Sequence, residues 1–223
     1  MANKGSSGYI KRLNAPKYFA IHKKEFAYVV KQNPGRHNLK KSVALSIILS
    51  KLNLAATRFE SNKIIKSGQV NVNGKIIKEP KYPVGLNDLV GVGSDHYIVG
   101  INERGQIKID KKEKGTVQVF KVVSKFKEKG NQLMLRLHDG TLVKGKNDIK
   151  VYDSVVLSSG KISKVIKLDS GAKCEVIDGV HVGVLGTVKE ITAGNMHKER
   201  SVTVEPHKGE KFETLVRNII VVE

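Results

Sequence analysis

A chain of 223 residues with 40 Lys and Arg against 21 Asp and Glu carries a formal net charge of +19, and needs a polyanionic partner because self-repulsion of that size works against the compact state. The length suits two or three small domains. A membrane is excluded as the polyanion: no apolar run approaches the roughly 18 residues of a span, and there is no Trp and no basic helix with bulky apolar anchors. Nucleic acid is left. The opening Met1-Ala2-Asn3-Lys4-Gly5-Ser6-Ser7-Gly8 lacks the apolar core of a secretory signal, so a cytoplasmic location is expected. The single Cys174 has no disulfide partner and is expected to be a buried small residue in a reducing compartment.

Residues 1–41 read as a basic arm, with Lys11, Arg12, Lys17, Lys23, Lys24, Arg36, Lys40 and Lys41 among its cations and Glu25 its one acid. Tyr9, Tyr18, Phe19, Phe26 and Tyr28 are interleaved with that charge, and aromatics so placed stack on bases or pack into grooves. The arm therefore reads as a segment that orders along RNA, against the alternative of a disordered solubility tail.

From Ser42, a plausible N-cap, Val43, Leu45, Ile47, Ile48, Leu49, Leu52 and Leu54 recur at helical spacing and predict a first helix. A second helix is led in by Ala56-Thr57, turns Phe59, Ile64 and Ile65 inward, shows Arg58, Lys63 and Lys66 on its polar face, and ends at Gly68. Val70, Val72, Ile76 and Ile77 alternate about Asn73-Gly74, a strong hairpin signal, and Pro80, Pro83 and Gly85 then break the chain. Beyond Val90 short apolar runs alternate with turns. The runs are Tyr97 to Val99, Thr116 to Val123, Leu133 to Leu137, Val155 to Leu157 and Lys164 to Leu168; the turns include Gly105, Gly130, Asp139-Gly140, Ser159-Gly160 and Asp178-Gly179. Such spacing indicates small β barrels or sandwiches rather than a parallel sheet.

The stretch from Val43 to Val92, above all Leu54-Ala55-Ala56-Thr57-Arg58, Ile64-Ile65-Lys66-Ser67-Gly68, Val70-Asn71-Val72-Asn73-Gly74 and Gly85-Leu86-Asn87-Asp88, resembles the S-four-type RNA-binding domain. Ala56-Thr57 stands where many such domains carry a Ser before the Arg. Near the end, Asp178-Gly179-Val180-His181-Val182-Gly183-Val184-Leu185-Gly186-Thr187-Val188 resembles a KOW motif, with Gly183 and Gly186 permitting tight bends and Val180, Val182, Val184 and Val188 alternating inward. Adding Lys11 to Lys17, Pro34-Gly35-Arg36-His37 and Asn218 to Val221, the order of parts is similar, over nearly the whole chain, to the e-type S-four family of small-subunit ribosomal proteins of archaea and eukaryotes. The end at Glu223 resembles its shorter archaeal form.

That resemblance implies a multidomain α+β protein: a basic arm over 1–41, an S-four-like RNA-binding domain of two helices and a small sheet over 42–92, a central β-rich domain over 93–169 and a KOW-type small β-barrel over 170–223. It implies a structural role in the small ribosomal subunit, with small-subunit ribosomal RNA and neighbouring ribosomal proteins as partners. The expected RNA contacts are Lys11, Arg12, Lys17, Lys23, Lys24, Arg36, His37, Lys40 and Lys41 in the arm, Arg58, Lys63 and Lys66 on the helix, and Asn73 and Lys75 at the hairpin. These are phosphate-type contacts, which position RNA without reading its sequence.

Nothing in the sequence calls for catalysis. The histidines at 22, 37, 96, 138, 181, 197 and 207 are scattered, with no His-Glu-x-x-His or Cys pairing, and read as surface or RNA-contacting residues; no metal or cofactor is expected. Gly91-Val92-Gly93 lacks the third glycine and the βαβ frame of a dinucleotide loop. Asp139, Asp148 and Asp153 sit in turns, where carboxylates cap backbone donors. The alternatives are an RNA-modifying enzyme or assembly factor that uses the S-four-like domain for targeting, and a KOW-type transcription factor. The first needs a catalytic domain that the short strands do not supply, the second a polymerase-binding domain.

Overall fold

The computed structural model describes residues 7–22, 24, 26–112, 118–128, 130–158, 160–207 and 209–222. Lys4, Lys23, Glu25, Thr116 and Ser159 lie outside the described residues. The chain parts into two compact units, one of residues 1–100 and 106–116, the other of 101–105 and 117–223.

In the first unit, β1 (Tyr9–Lys11) pairs antiparallel with β2 (Tyr28–Val30). The arm residues thus form a short ladder of their own, and Tyr18 and Phe19 are buried, Phe19 to 1% exposure, leaving only part of the arm's aromatic set free to meet a partner. β3 (Ser42–Ala44) follows, where the sequence predicts the start of a helix. Ser42 is not an N-cap: its hydroxyl donates to the Asn38 carbonyl at 2.7 Å, and the segment pairs with β6 (Pro83–Gly85). The pairing, made some forty residues along the chain, overrides the local helical pattern and buries Val43 and Ala44 fully. Helix α1 (Leu45–Lys51) begins only after it, and α2 spans Arg58–Lys66.

β4 (Val70–Val72) turns into β5 (Lys75–Ile76) through Asn73-Gly74, both at positive φ (52° and 79°), as a primed two-residue turn requires. β7 (Leu89–Val92), β8 (Asp95–Ile101) and β9 (Ile107–Lys112) complete a sheet of order β5-β4-β7-β8-β9. Two helices against a small, mostly antiparallel sheet make this unit α+β.

Among the described residues the second unit is β with one 3-10 turn, at Val216–Asn218. β10 (Gln118–Glu128), β11 (Gln132–Leu137), β12 (Leu142–Lys144), β13 (Ser154–Ser158) and β14 (Lys161–Ile166) form a sheet of order β12-β11-β10-β13-β14 over a core of Phe120, Val122, Leu135, Leu137 and Val155. β15 (Lys173–Val176), β16 (Leu185–Thr192), β17 (Ser201–Pro206), β18 (Phe212–Leu215) and β19 (Ile219–Val221) form a second sheet, β18-β17-β16-β15-β19, over Cys174, Val176, Val188, Val202, Val204 and Ile219. Its ladder is open among the described residues, β18 and β19 being the two edges. Buried polar links join the two sheets: Lys121 Nζ donates to the Val216 carbonyl at 2.7 Å, and Ser154 Oγ accepts from Val221 N at 3.0 Å. Asp139 and Asp153 cap backbone donors, Asp153 taking Lys150 N at 2.8 Å and Leu168 N at 3.1 Å.

Cys174 is fully buried, and loss of hydration pushes its thiol up to about 11. At pH 8 the thiolate is then scarce as well as enclosed. Iodoacetamide at that pH is expected to leave the folded protein unmodified over an hour and to alkylate it fully in 6 M guanidinium, read by intact mass; rapid alkylation of the folded chain would contradict this packing.

Candidate nucleic-acid interface

Helix α2 is built to present charge. Thr57 accepts from Glu60 N at 3.2 Å while Glu60 Oε2 accepts from Ala56 N at 2.9 Å, a reciprocal cap that satisfies one donor of the first turn and one just ahead of the cap. The hydroxyl that the sequence places one step before Arg58 is therefore the helix cap. Ser61 and Ile65, four apart, are the buried stripe, and Ile64 is half-buried. Phe59, two residues before Ser61, falls about 200° away from it at 100° per residue and is 80% exposed. The inward reading of Phe59 is corrected accordingly. Arg58, Lys63 and Lys66 are all exposed.

Arg58 does not stand free. Its Nη1 donates to the Tyr9 hydroxyl at 2.7 Å, and its guanidinium carbon lies 4.9 Å from the centre of the Tyr9 ring, with Lys81 Nζ at 5.7 Å from the same ring. The hydrogen bond from Arg58 and its charge hold the Tyr9 phenol below its ordinary pKa. Arg58, Lys66 and Lys81 line one pocket of about 260 Å³ with Asn62, Ser46 and Glu79. Tyr9 and Lys81 are the residues sequence reasoning missed as parts of this surface; each meets Arg58 only through the fold.

The arm cations differ in what they do. Lys11, Lys17, Lys24, Lys40 and Lys41 are exposed. Arg12 is bound to its own arm, donating from Nε to the His22 carbonyl at 2.9 Å and from Nη2 to the Ile21 carbonyl. Arg36 is half-buried. His37 is buried, its Nε2 2.7 Å from Asp88 Oδ2, and so is placed inside the unit and not on its surface. Asp88 also accepts from Gly85 N at 2.9 Å and from Asn73 Nδ2 at 2.7 Å, and Asn73 Oδ1 accepts from Leu89 N at 2.8 Å. A β-carbon on Gly85 would lie 2.5 Å from His37 Nδ1, which is why only glycine fits there. Asn73 thereby serves the hairpin, while Lys75 beside it is exposed.

In the second unit residues 178–183 are bends and turns, so strand alternation does not begin there. Val180 is 93% exposed, against the inward face expected of it, and Val188, inside β16, is the valine of the four that is fully enclosed. Gly183 adopts φ +80°, and a β-carbon on it would lie 2.7 Å from Glu103 N. Gly186 is buried in β16, and a β-carbon there would lie 2.5 Å from the Glu205 carbonyl oxygen. Among the described residues no three His, Cys, Asp or Glu converge as a metal site, and no helix is long and apolar enough to cross a membrane.

Three family profiles match the chain in order: an RS4NT (NUC023) domain over residues 4–40, an S4 domain over 45–90 and ribosomal family S4e over 94–162. The small ribosomal subunit protein eS4 of Methanococcus vannielii is 34% identical over all of this chain and 96% of its own length. That of Archaeoglobus fulgidus is 33% identical over 87% of this chain and 85% of its own. The solved structure of the 30S ribosomal protein S4e from Thermoplasma acidophilum matches with a TM-score of 0.70 at 30% identity, covering 82% of this chain and 95% of that one. With relatives this similar over most of their length, the chain belongs to the eS4 family of small ribosomal subunit proteins.

Proposed function

We propose that this protein is a structural constituent of the small ribosomal subunit that holds ribosomal RNA through its basic arm and its S4 domain, and that it works in the cytoplasm bound to ribosomes beside neighbouring small-subunit proteins. The family is one of ribosomal structural proteins, not enzymes. The observation that carries the reading is the exposed cation set on α2 and the arm in a chain of net charge +19, since a surface of this kind is neutralised by phosphates. In this reading the arm over 1–41, the S-four-like domain over 42–92, a central domain over 93–169 and a KOW-type barrel over 170–223 all lie on ribosomal RNA. The exposed lysines and Arg58 contact phosphates; Arg12, Arg36 and Asn73 contribute by holding the surface in shape as well as by touching RNA, and His37 by holding it in shape from inside the unit.

Sucrose-gradient sedimentation of a lysate tests it. The chain is expected to comigrate with the small subunit at low salt and to be released by high salt, and its binding to small-subunit RNA to weaken steeply with salt, each phosphate contributing about 0.7 to 0.9 to the log-log slope. A slope near zero would contradict the electrostatic account. A largely free pool that meets only immature particles would point to an assembly or modification factor instead.

A further inference from the structure

The pocket on the first unit joins four segments of the chain: the arm, α1, α2 and the segment before β6. Arg58, Lys66 and Lys81 bring three cations to it, against the single carboxylate of Glu79. That carboxylate is engaged locally, Glu79 Oε1 accepting from Lys81 N at 3.2 Å. Three like charges around one cavity repel one another, and an anion seated among them removes the repulsion. A volume of about 260 Å³ is below the usual range of a pocket for a separate small molecule, roughly 300–1,000 Å³, and the cavity is open to solvent.

Tyr9 sets the geometry. Its hydroxyl accepts from Arg58 Nη1 at 2.7 Å and its ring lies under the guanidinium, so one of the five guanidinium donors is spent on the arm and the plane of the rest is fixed. Tyr9 is itself held by its ladder to Val30, which lines the same pocket. The aromatic residue is thus a positioning device for the cation beside it.

Resting on the proposed RNA-binding function, we infer that Arg58, Lys66 and Lys81 form a preorganised seat for one backbone phosphate of an RNA strand, and that Tyr9 of the arm is the positioning residue that orients Arg58 toward it. The seat makes the arm and the helix surface one composite site. It adds Lys81 to the phosphate ligands, and it gives Tyr9 a role in RNA affinity without contact to a base.

The test measures retention of small-subunit ribosomal RNA by the full chain across a salt series. Lys81→Ala is expected to make the log-log slope shallower by about 0.7 to 0.9, the loss of one phosphate. Tyr9→Phe, which keeps the ring and the ladder, is expected to weaken binding about 5-fold, and to have no further effect in an Arg58→Ala background, because it acts through Arg58. An unchanged slope in Lys81→Ala, or an equal loss from Tyr9→Phe with and without Arg58, would overturn the seat while leaving salt-steep RNA binding intact. Absence of salt-steep binding in the unsubstituted chain would overturn the functional reading beneath it. Inorganic phosphate is the probe for a free anion: displacement of RNA by phosphate well beyond that by chloride at equal ionic strength, lost in Lys81→Ala, would give the pocket to the free anion and overturn its assignment to the strand.

Discussion

Asp88→Ala is expected to cost the first unit about 3–5 kcal/mol, because it strips a buried carboxylate from partners of which two are themselves buried. Asp88 is 1% exposed and accepts from three directions at once: the Gly85 backbone at 2.9 Å, His37 at 2.7 Å and the Asn73 amide at 2.7 Å. Each of these belongs to a different part of the chain, namely the end of β6, the foot of the arm and the hairpin turn. Removing the acceptor leaves the Gly85 amide and the His37 ring buried without it and takes one partner from the half-buried Asn73 amide, and such networks fail together. His37→Ala removes only one partner and should cost less, as should Asp88→Asn, which keeps the shape and an acceptor for Gly85. Calorimetry on the full chain is expected to show the first unit's transition lowered by roughly 10 °C or more in Asp88→Ala with the second unit's transition in place. A loss below about 1 kcal/mol would mean that the three donors find other partners, and that this carboxylate does not organise the unit.

That network also marks the limit of what the sequence reveals. The Asn73-Gly74 hairpin is legible because a primed turn is specified by two adjacent residues, and both take the positive φ it demands. The existence of two helices is legible from apolar spacing, and so is the outward face of Arg58, Lys63 and Lys66. The start of the first helix is not: Ser42 has the chemistry of a cap, but the segment it opens is claimed by a strand at 83–85 that no local window contains. Phe59 reads as inward on hydrophobicity alone, whereas the angular position of Ser61 and Ile65 decides the buried stripe. The separation of arm cations into exposed charges and internal struts is equally non-local. His37 and Asp88 lie 51 positions apart and Arg58 and Tyr9 lie 49 apart, so both pairs are products of the fold. Charge told the class of partner, and contact decides which charges are left to meet it.

The exposed lysines of the arm should therefore carry a binding effect separable from stability. Lys11, Lys17, Lys24 and Lys40 are all exposed. Replacing the four together by Ala should leave the melting profile nearly unchanged, since surface substitutions of this kind stay within about 0.5 kcal/mol each. Binding to small-subunit ribosomal RNA should respond differently. If each lysine neutralises one phosphate, the log-log salt slope becomes shallower by about 3, and near physiological salt the affinity falls by orders of magnitude while the choice among RNAs is kept, because phosphate contacts carry no sequence information. Arg12→Ala makes the informative contrast. Its guanidinium is tied to the His22 and Ile21 carbonyls, so its loss should loosen the arm and lower stability more than it changes the slope. A four-lysine variant with an unaltered slope would show that the arm lies off the RNA, and would shift the electrostatic interface to the α2 surface and the second unit.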